Sequence, residues 1–318
     1  MKQFTSVEDV PDIETLIAKA SAYKKQPRID QHKWAQLRVG MIFFNPSLRT
    51  RMSTYVAAKN LGMDAVVFNA GNEAWSLEFE DGAVMNGHSV EHIKDAAAVM
   101  GQYFDILAVR TFPALKDRAA DEAELVLRQI ARYASVPVIS LESATLHPLQ
   151  SLADMMTIQE AWEQRQRRPK VVLSWAPHVK ALPQCVANSF AQWVNAWGGV
   201  DFIIAQPEGY ELNPHFAGNA TVLYDQQQAI QDADFVYVKN WSSYREYGKV
   251  LPVAGDWMLT ENKLQAATGA SIMHCLPVRR NVELSDELLD GKRSLVQQQA
   301  ANRVFAAQAV LDAIASSL

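Results

Sequence analysis

Hydroxyl and guanidinium side chains are concentrated in the sequence S-L-R-T-R at residues 47–51. The apolar run 39–44 before it is typical of a buried strand, and apolar residues at helical spacing follow it. The cluster therefore lies where a strand ends and a helix begins, with Ser47 predicted as the N-cap. Backbone N–H groups of the first helical turn and two arginines favour binding of an oxyanion such as phosphate. A capped helix with solvated arginines is the alternative for so short a motif.

Strands and helices alternate through both halves of the chain. The predicted strands are residues 39–44, 64–69, 105–110, 136–142, 170–175, 200–205, 233–238 and 270–273, and the predicted helices include 8–25, 91–101, 122–133 and 184–197. This alternation predicts an α/β fold with parallel sheets. Because 318 residues exceed the usual length of one domain, we expect two such domains, each doubly wound.

Polar and charged side chains follow the predicted strands. They are Arg49, Trp75 at the end of a polar loop (71–75), Arg110 and Glu142 in the first half, and His178, Lys239, His274 and Arg279 in the second. Ligands of open parallel sheets bind beyond the carboxyl ends of the strands, so we expect each row of side chains to converge. A cleft between the two rows is the expected site.

The composition and charge argue against several classes of protein. With a net charge of −5 and a pI near 5.8, the chain has no global basic field, so no nucleic-acid or membrane partner is expected. No signal-like apolar segment is present, which favours a cytoplasmic protein. The two cysteines, Cys185 and Cys275, lie far apart and suggest no disulfide framework. The phosphate-binding motifs of nucleotide kinases and dehydrogenases, G-x-x-x-x-G-K-[ST] and G-x-G-x-x-G, are absent.

One motif offers a metal-binding alternative. His88, Glu91 and His92 match H-x-x-E-H, the zinc-protease pattern that places two imidazoles and a carboxylate on one helical turn. The preceding Asn86-Gly87 favours a loop or a helix start at His88, and no later motif supplies a third protein ligand. We therefore expect no metal.

Three motifs, in this order along the chain, resemble signatures of the aspartate/ornithine transcarbamylase family. They are S-L-R-T-R at 47–51, H-P-L-Q at 147–150 followed by L-A-D-x-x-T, and H-C-L-P at 274–277. A-N-R at 301–303 resembles the end of the family's D-E-A-E-N-R, although residues 298, 299 and 301 are not acidic here. The resemblance implies transfer of a carbamoyl group from carbamoyl phosphate, without a metal or an organic cofactor.

The family resemblance also implies a domain plan and a set of site residues. A carbamoyl-phosphate domain would span 1–148 and a second-substrate domain 149–299, joined by bridging helices, with a C-terminal helix (300–318) that packs back on the first domain. Carbamoyl phosphate would be bound by Ser47, Leu48, Arg49, Thr50, Trp75, Arg110, His147, Pro148, Leu149, Gln150, Cys275, Leu276 and Arg303. Thr50, Arg110 and His147 would stabilise the oxyanion, while the Cys275 carbonyl would orient the attacking amine. Trp75 would enter the neighbouring site of a homotrimer.

A charge argument concerns the second substrate. Ornithine transcarbamylases carry an acidic residue and an S-M-G loop after the third strand of the second domain, whereas Lys239 and W-S-S-Y at 241–244 occupy these places here. A lysine repels the free α-ammonium group of ornithine but pairs with a carboxylate. The chain therefore resembles the acylornithine branch of the family. His178, Lys239 and Arg279 are expected to meet the carboxylates of N-succinylornithine, and Glu142 to anchor an amide or amine nitrogen.

Within that branch, the residue at position 90 is linked to the acyl group. Members that use acetylornithine resemble one another in a glutamate there, succinyl-type members have proline, and this chain has Val90. An apolar side chain would not repel the distal succinyl carboxylate, so the sequence favours N-succinylornithine, with N-acetylornithine and then ornithine as alternatives. In the other interpretation, Val90 begins a helix and contacts no ligand.

The expected reaction gives N-succinylcitrulline and phosphate in arginine biosynthesis. A non-catalytic, two-lobed anion or amino-acid binding protein is the remote alternative, because convergent groups at strand ends would serve a binder equally well. Release of phosphate would separate the two, since a binder would saturate with ligand and release none.

Overall fold

The computed structural model describes residues 1–71, 73–162 and 166–318. The chain divides into two compact units. Unit 1 contains Met1–Ala114, Arg118–Leu149 and Arg303–Leu318, and unit 2 contains Leu115–Asp117 and Gln150–Asn302. Asn72, in the predicted polar loop, lies outside the described residues.

Unit 1 contains a four-stranded parallel sheet and a short two-stranded parallel ribbon. Its strands are β1 Arg38–Phe43, β2 Asp64–Asn69, β3 Leu77–Glu78, β4 Glu91–His92, β5 Ile106–Arg110 and β6 Val138–Glu142. Its helices are α1 Ile13–Lys25, α2 Arg49–Asn60, α3 Ile93–Tyr103, α4 Arg118–Glu122 and α5 Leu125–Tyr133, with a 3₁₀ turn at Val7–Asp9. The sheet order is β2-β1-β5-β6, and β3 pairs with β4. Strands β1 and β5 are therefore central.

The central strands of unit 1 are buried on both faces. All five residues of β5 are buried, as are the last five residues of β1. Successive side chains of a strand point to opposite faces, so this pattern requires cover on both sides, as parallel sheets usually have. Side chains of α3 and α5, including Ile93, Ala97, Leu127 and Ile130, pack in a core cluster with Leu107 and Val109 of β5.

Unit 2 contains a five-stranded parallel sheet of order β11-β10-β7-β8-β9. Its strands are β7 Lys170–Trp175, β8 Asp201–Ala205, β9 Thr221–Leu223, β10 Phe235–Lys239 and β11 Ser271–Met273. The remaining helices are α6 Pro148–Trp162, α7 Cys185–Trp197, α8 Pro214–Ala217, α9 Gln226–Ile230, α10 Asp286–Asp290 and α11 Val296–Ala315, with a 3₁₀ turn at Lys263–Ala267. The divisions between the units fall inside α6 and α11.

The predicted α/β class with parallel sheets is confirmed, but several helix boundaries were wrong. The helix predicted for 91–101 begins at Ile93, because Glu91 and His92 pair with β3. The helix predicted for 122–133 is interrupted at Glu124, whose φ of 46° is left-handed and incompatible with a continuous helix. The helix predicted for 8–25 begins at Ile13, where the Asp12 side chain accepts a hydrogen bond from Thr15 N.

Among the helices in the described part of the chain, none is both long enough and apolar enough to cross a bilayer.

Candidate active site

Strand register brings Arg110 and Glu142 together at the carboxyl edge of the sheet in unit 1. Arg110 is the last residue of β5 and pairs with Glu142, the last residue of β6, after a register shift. Arg110 Nε donates to Glu142 Oε2 at 3.0 Å, and Nη2 lies 2.8 Å from the same oxygen. Arg110 Nη1 donates to the carbonyl oxygens of Asn45 and Pro46. The guanidinium is therefore held in one orientation, while the second N–H group of Nη2 is available to a ligand.

The N-terminus of α2 differs from the prediction in one respect. The N-cap is Leu48 rather than Ser47, and Leu48 makes no side-chain capping hydrogen bond. The helix thus begins one residue later than local capping preference indicated. Because Leu48 supplies no acceptor, the N–H groups of the first turn remain open to an anion. Arg49 Nε, in this turn, is buried with no hydrogen-bond partner among the described residues.

Thr50, in the first turn of α2, connects this helix with α11. Arg303 Nη2 donates to Thr50 Oγ1 at 2.6 Å, and the two residues are only 5% and 2% exposed. Since the hydroxyl oxygen accepts from Arg303, the hydroxyl hydrogen can be donated to a ligand. Thr50 is therefore a hydrogen-bond partner that orients Arg303, although the acidic residues usual before this arginine in the family are replaced here.

His147 lies beside this cluster as a neutral imidazole. It is 4% exposed, its Nε2 is 3.8 Å from Glu142 Oε2, and its Nδ1 has no hydrogen-bond partner among the described residues. Burial lowers the pKa of His147 to about 3; the charge of Glu142 opposes this, and Arg303 and Arg110 add to it. At neutral pH the ring can therefore donate one hydrogen bond without carrying a charge.

The depressed pKa of His147 predicts a pH-dependent stability. Between pH 6.5 and about 3 the unfolded chain protonates this histidine and the folded chain does not. The stability associated with the neutral ring is therefore complete above the ordinary pKa and is lost as pH falls toward the folded-state pKa. We expect the unfolding free energy of the wild type to fall faster than that of His147→Gln, by about 1.4 kcal/mol per pH unit between pH 6 and 4. Urea unfolding at a series of pH values measures this difference.

Exposed His32 provides the control for this experiment. His32→Gln should leave the pH dependence of the wild type unchanged. Parallel curves for wild type and His147→Gln would show that the folded protein does not depress the pKa of His147.

Trp75 and Val90 lie just before β3 and β4, the two strands of the short ribbon. Trp75 Nε1 donates to Glu91 Oε2 at 2.6 Å, and Val90 N donates to Ser76 O at 2.9 Å. Both side chains are exposed, at 59% for Trp75 and 64% for Val90. The alternative interpretation, in which Val90 begins a helix, does not hold, because β4 separates Val90 from α3.

The same ribbon accounts for the polar groups of the H-x-x-E-H motif. Glu91 accepts from Trp75, and His92 Nδ1 accepts from Lys94 N at 3.1 Å, so His92 caps α3. His88 contributes its carbonyl oxygen to Ser76 Oγ. In the described ranges, no group of three or more His, Cys, Asp or Glu side chains is arranged to hold a metal ion.

In unit 2, three basic side chains lie near the carboxyl ends of the strands. Lys239 ends β10 and is 7% exposed, and its Nζ donates to Asn240 O, an uncharged acceptor. Arg279 Nε donates to His178 Nε2 at 3.0 Å, and His178 Nδ1 lies 2.9 Å from Lys180 O and 3.1 Å from Lys180 N.

Glu283 links these basic residues and was not identified from the sequence. Its Oε2 accepts from Arg279 N at 2.7 Å, and its Oε1 lies 3.4 Å from His274 Nε2, with the glutamate only 1% exposed. Burial raises the pKa of Glu283, but the hydrogen bond and charge of His274 and the charge of Lys239 outweigh burial and lower it. An ionised Glu283 therefore fixes the backbone of Arg279 and attracts Lys239.

The H-C-L-P loop is held by buried hydrogen bonds. His274 N donates to Gln299 Oε1 at 2.9 Å, and Leu276 N donates to His274 Nδ1 at 2.9 Å. Leu276 has a φ of 57°, a left-handed conformation that is rare and costly for a leucine. Cys275 is buried. The loop is thus fixed by hydrogen bonds from two of its backbone N–H groups to the side chains of Gln299 and His274.

The structure thus places eight of the predicted residues in two clusters, one in each unit. In unit 1, Thr50, Arg110, Glu142, His147 and Arg303 are connected by contacts and by the charges acting on His147. In unit 2, His178 and Arg279 are in direct contact, and both Arg279 and Lys239 act on Glu283. Pro148, Leu149 and Gln150 form the first turn of α6. Contact of Glu142 with an acyl acceptor stays a prediction, because its Oε2 is engaged by Arg110.

Two buried acidic residues, Glu283 and Asp154, were not identified from the sequence. Glu283 lies ten residues after β11, outside every quoted motif. Asp154 falls within L-A-D-x-x-T, but its contacts with Gln150 and Gln299 were not predicted. A buried acid beside a proposed ligand contact is the signal that could have identified Asp154.

Family models match most of the chain. Residues 2–160 match the model described as Aspartate/ornithine carbamoyltransferase, carbamoyl-P binding domain, and residues 184–314 match Aspartate/ornithine carbamoyltransferase, Asp/Orn binding domain. The chain belongs to the aspartate/ornithine carbamoyltransferase family, and it is a carbamoyltransferase.

Relatives place the chain near the acylornithine members of the family. N-succinylornithine carbamoyltransferase of Bacteroides thetaiotaomicron is 45% identical over 324 residues, with 100% of both chains covered. N-acetylornithine carbamoyltransferase of Xanthomonas axonopodis pv. citri is 32% identical, over 99% of this chain and 97% of the relative. The resemblance to the acylornithine branch is confirmed.

Solved structures agree with the fold. N-acetyl-L-ornithine transcarbamylase matches with a TM-score of 0.91 and 31% identity, covering 99% of this chain and 100% of that chain. A mutant of N-acetyl-L-ornithine transcarbamylase complexed with carbamyl phosphate and N-succinyl-L-norvaline matches with a TM-score of 0.90, 32% identity and the same coverage.

Proposed function

We propose that this carbamoyltransferase moves the carbamoyl group of carbamoyl phosphate to the side-chain amine of N2-succinyl-L-ornithine. The products are N-succinylcitrulline and phosphate, in arginine biosynthesis. The observation that carries the choice of acceptor is the cluster of His178, Lys239 and Arg279 around buried Glu283. The 45% identity with N-succinylornithine carbamoyltransferase supports the same choice.

In unit 1, the N-terminus of α2 binds the phosphate group. Ser47, the Leu48 N–H group and Arg49 provide donors, and the unpartnered Arg49 Nε supports this assignment. Anions are stabilised at a helix N-terminus by free N–H groups and by the helix dipole. Thr50 and Arg303 complete the anion site, with the Thr50 hydroxyl donating to the ligand while it accepts from Arg303.

Arg110, His147 and Thr50 stabilise the oxyanion that forms when the amine attacks the carbamoyl carbon. Arg110 is preorganised by Glu142, and neutral His147 can donate one hydrogen bond, so neither must reorient during the reaction. Preorganised donors of this kind contribute about 3–4 kcal/mol each to transition-state stabilisation. Gln150 and the carbonyl groups of Cys275 and Leu276 orient the carbamoyl NH₂ group and the nucleophile.

In unit 2, the basic cluster binds the acyl acceptor through its carboxylates. Acylation removes the positive charge of the ornithine α-amine, and a succinyl group adds a second carboxylate. Lys239 and Arg279 carry fixed charges that pair with two carboxylates, whereas free ornithine would place an ammonium group against them. The attacking side-chain amine must lose a proton, because an alkylamine of pKa about 10.4 is mostly protonated at neutral pH. This proton goes to solvent before the attack, and the second amine proton, which is released as the ureido bond forms, is accepted by the leaving phosphate.

We further propose a homotrimer in which the β3–β4 ribbon enters the neighbouring subunit's site. The exposure of Trp75 supports this assembly. Val90 N donates to the carbonyl oxygen of Ser76, the residue after Trp75. If Trp75 reaches the phosphate of the neighbouring site, Val90 is carried with it and contacts the acyl group. Sedimentation at micromolar concentration tests the assembly, and Trp75→Ala should lower carbamoyl-phosphate affinity without dissociating the trimer.

A substrate panel tests the proposed function. Ornithine, N-acetylornithine, N-succinylornithine and aspartate are each supplied with carbamoyl phosphate, and phosphate release is measured. We expect the highest kcat/KM with N-succinylornithine. A preference for N-acetylornithine would favour the second candidate function, N-acetylornithine carbamoyltransferase, which a relative of 32% identity supports. Saturable binding without phosphate release would point to a non-catalytic binding protein.

Val90→Glu should change the preference between the two acylated acceptors. A glutamate would repel the distal carboxylate of the succinyl group, whereas the acetyl group carries no charge there. We expect kcat/KM for N-succinylornithine to fall by about tenfold more than that for N-acetylornithine, the effect of about 1.4 kcal/mol. Val90→Gln introduces a side chain of nearly the same size as glutamate but without its charge, and it serves as the control. Equal losses with both acceptors would remove Val90 from the determinants of specificity.

A further inference from the structure

The carboxylate of Asp154 holds two glutamine side chains within unit 2. Asp154 is fully buried, and its Oδ1 accepts hydrogen bonds from Gln150 Nε2 at 2.8 Å and from Gln299 Nε2 at 2.7 Å. Gln150 lies one turn before Asp154 in α6, and Gln299 lies in α11. The roles proposed above use Gln150 but assign nothing to Asp154.

The carboxylate determines how both amides are oriented. The oxygen that accepts these two bonds cannot also donate, so each glutamine turns its NH₂ group toward Asp154 and its oxygen away. Gln299 Oε1 then accepts from His274 N at 2.9 Å. Gln150 Oε1 is buried and has no hydrogen-bond partner among the described residues, in a residue only 1% exposed. Because an unpaired buried acceptor is unfavourable, this oxygen suits a ligand that donates an N–H group.

The N–H requirement distinguishes two acyl phosphates. Carbamoyl phosphate carries an NH₂ group where acetyl phosphate carries a methyl group of similar size, and the phosphate is the same. A fixed acceptor stays unpaired when the methyl analogue binds, so the analogue is rejected by hydrogen bonding rather than by shape. If the Gln150 amide could rotate freely, its NH₂ group would face the ligand part of the time and this selectivity would be lost.

We propose that Asp154 is a positioning residue that locks the Gln150 oxygen toward the carbamoyl NH₂ group and holds the His274 backbone through Gln299. In this way Asp154 sets the selectivity for carbamoyl phosphate over acetyl phosphate. The inference rests on the proposed function, from which it takes the contact between Gln150 and the carbamoyl group.

Asp154→Asn tests the proposal, because an asparagine can donate as well as accept and so lets Gln150 present either end of its amide. Calorimetry gives the dissociation constants of carbamoyl phosphate and acetyl phosphate for each variant. We expect wild type to bind carbamoyl phosphate at least about 100-fold more tightly, and Asp154→Asn to reduce that ratio at least about tenfold. Asp154→Glu keeps the carboxylate and should retain more of the selectivity. Asp312→Asn alters another buried acid, bonded to Lys33 and Trp34, and should leave the ratio unchanged.

Each outcome decides the inference. A folded Asp154→Asn protein with an unchanged ratio, or a wild type that binds both acyl phosphates equally, overturns it. If Asp154→Asn does not unfold cooperatively, a crystal structure of wild type with carbamoyl phosphate decides instead. Gln150 Nε2 within hydrogen-bonding distance of Asp154 Oδ1 supports the proposal, and a Gln150 amide turned away from Asp154 contradicts it. Failure of the proposed function is a separate result, seen as absence of phosphate release by wild type with every acceptor.

Discussion

Arg110→Ala is expected to lower kcat/KM for carbamoyl phosphate by about 10³-fold, the effect of losing one preorganised oxyanion donor. Arg110 is 8% exposed, and its orientation is set by Glu142 and by two carbonyl oxygens. Water that fills the space of the lost guanidinium would lack its charge and its fixed direction. Steady-state phosphate release with saturating N-succinylornithine measures the loss.

The control separates lost catalysis from lost stability. Arg110→Ala alone leaves Glu142 as a buried charge without its main partner, which costs about 3–5 kcal/mol of unfolding free energy. The double variant Arg110→Ala with Glu142→Gln removes that charge and should recover most of the stability but none of the activity. Wild-type activity in the double variant would show that Arg110 has a structural role and stabilises no oxyanion.

Lys239→Met is the second substitution for which we expect a large effect. Methionine keeps the length of the buried side chain and removes the charge that pairs with an acceptor carboxylate. Hydrogen bonds to charged groups contribute about 1.5–3 kcal/mol, so the KM for N-succinylornithine should rise by about 10- to 100-fold. The KM for carbamoyl phosphate should stay within about threefold, because the phosphate is assigned to unit 1. Initial-rate kinetics with each substrate varied in turn give both values.

An exposed lysine in the same unit provides the matched control. Lys292→Met removes the same charge at an exposed position and should leave both KM values unchanged. Lys239→Met should also reduce the disadvantage of free ornithine, since its ammonium group would no longer face a lysine. A parallel rise in KM for ornithine and N-succinylornithine would contradict the charge argument.

The strands could be predicted because parallel strands that are buried on both faces have continuous apolar sequences. The run 170–175 coincides with β7, and 64–69 coincides with β2. Helix starts were less predictable, because competing local signals decide them. Ser47 is a better cap by residue preference than Leu48, yet the backbone of Leu48 already has helical angles and serves as the N-cap.

Candidate site residues that belong to one short motif could be predicted from the sequence. Contacts between residues of different elements could not. S-L-R-T-R and H-P-L-Q predicted candidate anion-binding and carbamoyl-binding residues, which lie at the starts of two separate helices, α2 and α6. The Arg110–Glu142 pair required the register of β5 and β6, in which a shift at Arg110 brings the two ends together. The partners of Asp154 and Glu283 depend on α11 and on the loop after β11, which are placed by tertiary packing and leave no periodic signal in the sequence.

Carbon-13 NMR of the transferred group tests the central claim most directly. Carbamoyl phosphate labelled at its carbonyl carbon is incubated with the enzyme and equal amounts of N-succinylornithine and N-acetylornithine. We predict that the label appears predominantly as the ureido carbon of N-succinylcitrulline, with one phosphate released per ureido group. Label found mainly in N-acetylcitrulline, or only in breakdown products of carbamoyl phosphate, would contradict the proposed function.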